Sequence, residues 1–387
     1  MAILLSSLIK EVSNMDVTLV AGEKGLHTPV SWVHMVETVE ATNFLDGGEI
    51  AFITGLGLSN QDTIFDLITS IRQRNAAGVF VNLGPFIEAI PDEVVAYCNE
   101  NNFPLFTVPW KIHLAEIIRR FSYAITKDDQ KHLQISAAFM NALFFPEQEQ
   151  FYVAPLTQYG FQTNWHYAVC LLKFPSGDAA DIPYIDRLAL RLERFLKHYY
   201  ENYATFRLDE YIVIVMGDYT EDQVRELVAK VFERTRTYCA SDAIPAIGCG
   251  RLTQSIRCLY KSYNQAKSIA NLQEKKKISK SNIFFADMGI YRLLMSITDD
   301  DTKEYFCQET IMPLVNYDAK NETNLTEVLK KYLQNNGSVN DTANQMYVHR
   351  NTINYKLKKI EEILDVDLSS LDFRIHATLG LYLLDLM

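Results

Sequence analysis

No two of the six cysteines, Cys98, Cys170, Cys239, Cys249, Cys258 and Cys307, stand at Cys-x-x-Cys spacing. That excludes a dithiol redox motif and a clustered zinc site. The thiols are expected to be free and buried, as in a reducing compartment. No stretch approaches the ~18 apolar residues of a membrane span. Residues 1–12 carry neither a basic leader nor a small-residue cleavage site. The expectation is a soluble, cytoplasmic protein with no membrane partner. No metal-ligand spacing appears, and no Ser-His-Asp or Cys-His set has motif context, so no catalytic residue, metal or cofactor is expected. Positive charge is also short: 37 Lys and Arg against 48 Asp and Glu leave a net charge of −11. A wholly basic nucleic-acid coat is excluded, whereas a local basic patch is not.

What remains is ordinary globular material. Of 387 residues, 48% are hydrophobic and 22% charged. Those proportions rule out disordered, collagen-like and coiled-coil classes, and the length implies two or three domains. The charge is uneven. Residues 1–125 hold 7 basic and 14 acidic residues, whereas residues 349–359 hold Arg350, Lys356, Lys358 and Lys359 with no acid.

The N-terminal region alternates strand and helix signals. Residues 50–54, 79–81 and 105–108 read as buried strands. Residues 63–74 and 91–101 read as helices, the first with Ile64, Leu67, Ile68 and Ile71 on one face. Crossovers of this length imply a parallel sheet. In residues 126–145, Leu133, Ala137, Met140 and Phe144 step along one helical seam, fit either for a partner subunit or for the helix's own domain. Residues 167–273 then read βαββαβα, a split βαβ arrangement with a hairpin at 204–215. From residue 289 onward only helices are expected.

The strongest signal lies at 325–364. A helix over 325–334, with Asn324 and Glu327 as a possible capping pair, stops at Asn336-Gly337. Ser338 stands three before Asp341, the capping-box spacing, and opens a short helix. Tyr347-Val348 makes a turn, with Val348 as its plug, and His349 starts a longer helix to about Leu364. Ala343 is small where two helices would cross. Ile353, Leu357, Ile360 and Leu364 form the inward stripe. The opposite face shows Asn351, Thr352, Tyr355, Lys358 and Lys359, flanked by Arg350 and Asn354. Arg and Asn pair bidentately with purine edges, Thr and Tyr reach phosphates or thymine methyls, and Lys neutralises phosphates. His349 completes the set of candidate DNA-binding residues. An ordinary amphipathic helix with a solvated basic face is the plain alternative.

The stretch from Asp341 through Glu362, with His349-Arg-Asn-Thr352 at its centre, resembles the C-terminal helix-turn-helix of the purine catabolism regulator (PucR) family of bacterial transcription factors. The resemblance runs over nearly the whole chain. Val20 to Glu23, Pro29 to His34, Glu37 and Leu45 to Gly55 look like that family's sensory domain. Ile247 to Gly250 with Ser262 to Ala266 resembles its middle domain, related to GGDEF nucleotide cyclases. The resemblance implies an α/β sensor over 1–125 and a connecting helix over 126–150. A degenerate GGDEF-like α+β domain would follow over 151–285, then an all-α region over 286–387 with its helix-turn-helix at 338–364. It implies a double-stranded DNA operator, a small-molecule effector such as a purine-related metabolite or an amino acid, and a homodimer or higher homo-oligomer. Such proteins often activate genes of purine or amino-acid catabolism.

The middle domain departs from an active cyclase. Arg207-Leu208-Asp209-Glu210-Tyr211 stands where Gly-Gly-Asp-Glu-Phe would bind nucleotide phosphate and metal. The carboxylates remain, but side chains replace both glycines and block close backbone approach. A nucleotide-binding signalling enzyme is therefore the runner-up. A third alternative keeps DNA binding under the control of partner proteins. In the sensor, the Gly55 loop is not a G-x-G-x-x-G, because Asn60 replaces the third glycine. Ser59 and Asp62 have capping-box spacing. His34, Glu37, Glu49, Thr54, Gly55 and Ser59 are the candidate effector-binding residues, and each carboxylate or imidazole alone is as readily a satisfied structural group.

Overall fold

A computed structural model describes residues 3–58, 63–174, 182–238, 245–297 and 299–387. In chain order the first elements are β1 (Ile3–Leu4), α1 (Leu5–Glu11), β2 (Thr18–Ala21), β3 (Pro29–Val30), β4 (Trp32–Met35), β5 (Glu49–Ile53) and α2 (Ile64–Gln73). There follow β6 (Gly78–Leu83), α3 (Asp92–Glu100), β7 (Leu105–Pro109), α4 (Leu114–Phe144) and α5 (Val153–Gln158). The middle stretch adds β8 (Tyr167–Lys173), α6 (Ile182–Tyr199), β9 (Tyr203–Leu208), β10 (Tyr211–Gly217), α7 (Glu221–Tyr238), β11 (Ala246–Cys249) and α8 (Leu259–Glu274). The rest is helical: α9 (Tyr291–Leu294), α10 (Asp300–Thr310), α11 (Met312–Asn321), α12 (Leu325–Gln334), α13 (Val339–Gln345), α14 (Arg350–Leu364) and α15 (Leu371–Leu386). The chain divides into two compact units, 1–163 with 181–206, and 164–180 with 207–387.

The first unit centres on a five-stranded sheet ordered β2-β7-β6-β5-β4. β4 to β7 are parallel and β2 lies antiparallel on β7. The inner strands β5, β6 and β7 are buried on both faces, as a sheet covered by helices on both sides requires. One face packs Ile50, Phe52, Phe80 and Phe106 against α1 and α4. The other packs Ala51, Ile53, Val79 and Val81 against α2 and α3. β4 and β2 were not foreseen, because both are half-exposed edge strands without a continuous apolar run.

The 31-residue α4 is anchored at its start on that sheet. Phe121 meets Phe80 edge-on at 5.5 Å, and Phe80 stacks on Phe106 at 4.5 Å. Phe121 is fully buried, worth ~2–3 kcal/mol of transfer free energy. Further along, α4 buries Ile135, Ala138, Phe139, Ala142 and Leu143. The seam anticipated from sequence lies on the other side: Leu133 is 68% exposed, and Ala137 and Phe144 are exposed too. Two apolar stripes satisfy helical spacing on this helix, and the one packed within the unit is that of Ile135, Ala138, Phe139 and Ala142.

In the second unit β8 lies between β10 and β11, antiparallel to both. α8 crosses β11 at very close range. A Cβ on Gly248 would meet the Ala266 carbonyl oxygen at 2.1 Å, and one on Gly250 the Ser262 oxygen at 2.0 Å. Gly248 and Gly250 opposite Ala266 and Ser262 are thus required by the packing of α8 on this strand. The Ser262 hydroxyl accepts the Val169 N–H, and the Gln273 amide pairs with both backbone groups of Ile247.

The C-terminal helices share one core through Val328, Leu329, Ala343, Ile353, Leu357, Ile360 and Ala377. Among the described residues no helix is long and apolar enough to cross a membrane.

Candidate functional site

α13 and α14 form the anticipated helix-turn-helix. Ser338 caps α13 by accepting the Asp341 N–H. The His349 Nδ1 caps α14 by accepting the Asn351 N–H at 3.2 Å, so this ring is occupied with the helix end. Tyr347 takes φ +55°, the left-handed conformation that a glycine adopts more easily. Two expectations need correction. Val348 does not plug the turn: it is 40% exposed, and the turn is closed instead by its N–H on the Ala343 carbonyl. Asn324 does not cap α12. The Asp318 carboxylate does so from the preceding helix, accepting the N–H groups of Leu325 at 2.8 Å and Thr326 at 2.7 Å. Burial pushes the Asp318 pKa up, but the hydrogen bonds outweigh it and the net shift is downward.

The outward face of α14 carries Arg350, Asn351, Thr352, Asn354, Tyr355 and Lys358, all exposed. Their side chains make no hydrogen bond or ion pair among the described residues. Lys359 differs: it pairs with Glu362 at 3.1 Å and lies 6.0 Å over the Tyr317 ring. Lys356 is turned to Asn324. The helix therefore holds its apolar stripe in the core and presents a row of uncommitted amide, hydroxyl and cationic groups.

The sensor residues do not gather into one pocket. Glu37, at the end of β4, accepts the Thr54 N–H at 3.0 Å, the Thr54 hydroxyl at 2.7 Å and the Gly55 N–H at 3.1 Å. These three stand together at the carboxyl edge of the parallel strands, where open α/β sheets take ligands. Gly55 has φ +85° and packs on Ile87. Glu49 stands at the start of β5, the opposite edge. Both its oxygens are used by the N–H groups of Asp46 and Gly47. It is thus a loop brace, separated from Gly55 by the length of the strand. His34 is half-buried mid-strand, in register with Ala51. Ser59 lies outside the described residues, as does its anticipated pairing with Asp62; the capping box of α2 is built by Thr63 and Asp66. Sequence reasoning passed over Phe86 and Trp110, half-exposed rings 5.8 Å apart on the loops after β6 and β7. Their position at strand ends, beside Gly84 and Pro109, was the available signal.

At the degenerate turn, Asp209 has φ +50° and its carbonyl accepts from the Arg207 side chain. Glu210 approaches Lys173 at 4.0 Å, and Lys173 is held by Glu274 at 2.6 Å and Asn271 at 3.0 Å. Tyr211 beside them has its pKa pushed up to about 12, chiefly by burial. Where a cyclase would open onto phosphates, this sheet end is tied to α8.

Three comparisons bear on these regions. The Purine catabolism regulatory protein-like family matches residues 8–125, a GGDEF-like domain matches 150–272, and the PucR C-terminal helix-turn-helix domain matches 325–383. In domain content the chain belongs to the PucR family. The Bacillus subtilis proline-responsive transcriptional activator PutR is 31% identical over 46% of this chain and 44% of its own length. The DNA-binding transcriptional activator AdeR of the same organism is 27% identical over 36% and 34%. Its purine catabolism regulatory protein is 26% identical over 27% and 20%. The PucR-type chain thus aligns with less than half the length of each of these relatives. Among solved structures, a regulator of polyketide synthase expression from Bifidobacterium adolescentis covers 64% of this chain and 95% of its own at 16% identity. Its TM-score is 0.28, too low for the two folds to be compared.

Proposed function

We propose that this PucR-type chain is a metabolite-responsive transcription regulator that binds double-stranded DNA through α14 and activates genes of purine or amino-acid catabolism. The observation that carries the reading is the exposed, uncommitted row Arg350, Asn351, Thr352, Asn354, Tyr355 and Lys358 on a helix held by a buried stripe. His349 positions that row by capping its first turn, and Lys359 adds charge at its end. Two of the relatives are transcriptional activators and one of these is proline-responsive, which supports the catabolic assignment. The effector is assigned to the loops at the carboxyl edge of the sheet, around Thr54 and Gly55, with Glu37 fixing their shape, and His34 and Ser59 as further candidates. The middle domain is assigned a coupling role without catalysis, since Lys173, Glu274 and Glu210 close the turn that would otherwise meet nucleotide. A cytoplasmic location follows from that function.

The stripe of Leu133, Ala137, Met140 and Phe144 on α4, exposed except at the half-buried Met140, is assigned to a second copy of the chain, which would present two recognition helices to half-sites ~34 Å apart. The test is fluorescence anisotropy on the DNA upstream of the protein's own gene, with wild type and the double variant Arg350→Ala/Asn351→Ala. Specific binding lost in the variant supports the assignment, and binding unchanged in it overturns it. Light scattering of Leu133→Asp, expected to be monomeric, tests the assembly.

A further inference from the structure

A cavity of about 250 Å³ opens on the middle of α4, within the first unit and well along the helix from the sheet edge just discussed. Asp128, Lys131 and His132 of α4, Glu193 and Lys197 of α6, and the start of β9 line it. We propose that this cavity is a second ligand site, built for a small zwitterion of the α-amino-acid class. The inference goes beyond the sheet-edge effector reading and rests on it for nothing except the consequence for DNA.

The wall carries two carboxylates and two ammonium groups, so neither a polyanion nor a dication is matched by it. The groups are not equally engaged. Lys197 and Asp128 pair at 3.5 Å, and Lys131 lies 5.7 Å from the Tyr159 ring. The His132 Nε2–H donates to the Thr205 carbonyl at 2.7 Å, which fixes the ring. Glu193 makes no hydrogen bond or ion pair among the described residues. It is largely removed from water, and that burial pushes its pKa up to about 7. Lys197, one turn along α6, offsets that burial only in part and is itself paired with Asp128, so a ligand ammonium in hydrogen-bond contact would be the nearer countercharge. The ligand carboxylate then meets Lys131 of α4 or Lys197 of α6. Ile135 and the buried Ala204 give the remaining wall an apolar character that suits an aliphatic side chain. The volume is ample for an amino acid.

The location gives the site a consequence. α4 begins on the sensor sheet at Leu114 and runs without interruption past the cavity to Phe144. A ligand joining α4 to α6 therefore acts on the same rigid element that any signal from the sheet must use.

The experiment is calorimetry on the full chain with the twenty L-α-amino acids, and with methylammonium and acetate as half-ligands. One or a few aliphatic amino acids should bind, and each half-ligand alone about tenfold or more weaker. Glu193→Gln and Lys197→Gln, both nearly isosteric and on the cavity wall, should each weaken binding about tenfold or more. Lys10→Gln, exposed on α1, should leave it unchanged. Wild-type affinity should rise between about pH 6 and pH 8 as Glu193 ionises and stay level in Glu193→Gln, a pattern that misfolding does not imitate. The proposal is overturned if no amino acid binds at about 10 mM, if both cavity variants bind as wild type, or if Lys10→Gln weakens binding as much as they do. DNA binding that persists in any of these cases leaves the regulator assignment standing.

Discussion

One oxygen of the Glu37 carboxylate accepts both the backbone N–H and the hydroxyl of Thr54, at 3.0 and 2.7 Å. The other oxygen takes the Gly55 N–H. The end of one parallel strand is thereby fastened to the end of the next, at the edge where ligands enter such sheets. Glu37→Gln keeps an acceptor for Thr54 but turns an NH2 group toward the Gly55 N–H, leaving that donor unsatisfied. The expected cost is ~1–3 kcal/mol. Thermal unfolding should shift down by a few degrees with the sheet intact by circular dichroism. An unchanged midpoint would show that the bonds to Thr54 and Gly55 are dispensable.

The two adjacent lysines of α14 should behave differently. Lys358 is exposed with no ion pair, whereas Lys359 is held by Glu362 and lies over Tyr317. Lys358→Ala should weaken binding to all DNA alike and reduce the slope of log affinity against log salt by about one unit. Lys359→Ala should change that slope by clearly less, because its charge is already shared with a carboxylate. Affinities at four or five salt concentrations decide it, and equal slopes for the two variants reject the distinction.

Tyr347 offers a test of strain against recognition. Its φ of +55° disfavours a side chain, yet the ring is 95% exposed and covers nothing. Tyr347→Gly removes strain of ~1 kcal/mol and adds unfolded-state entropy of about the same size, so stability should hold to within ~0.5 kcal/mol. An exposed ring at the turn entering α14 is placed to meet the backbone of a duplex bound by that helix. Specific affinity should therefore fall severalfold while the fold is unaffected. Full affinity in the glycine variant would remove Tyr347 from the interface.

The helix-turn-helix was legible because capping, turn and stripe agree within a short stretch: Ser338 with Asp341, Tyr347 at the turn, and Ile353 to Ile360 inward. The βαββαβα order was legible for the same reason, each element having its own period. What sequence could not give were relations across distance. Asp318 caps a helix that begins seven residues later, in place of the adjacent Asn324. Glu49 and Glu37 look alike in sequence, and only the strand direction sends them to opposite ends of the sheet. On α4 two apolar stripes satisfy the helical period, and the choice between them depends on the elements packed alongside.

The cavity on α4 also sets a pH dependence that separates its two half-buried groups. Burial lowers the His132 pKa to about 4, and burial raises that of Glu193 to about 7. The folded chain refuses a proton at His132 that the unfolded chain accepts, so this contribution is lost as pH falls from about 6.5 toward 4. At Glu193 the folded chain keeps a proton that the unfolded chain releases. That contribution is complete below about 4.5 and is lost as pH rises through about 7. In the overlap the two slopes oppose and largely cancel. Asp128, Lys131 and Lys197 also face the cavity and stay in place in the variants, so each substitution isolates one slope. Glu193→Gln should match wild type near pH 4.5 and exceed it by ~1–2 kcal/mol above pH 7. His132→Gln, which keeps a donor for the Thr205 carbonyl, should exceed wild type by a similar ~1–2 kcal/mol near pH 4.5 and converge with it above pH 7. Urea unfolding at pH 4.5, 6 and 8 gives both comparisons. Differences from wild type that do not change with pH would mean that neither group is held away from water in the folded chain.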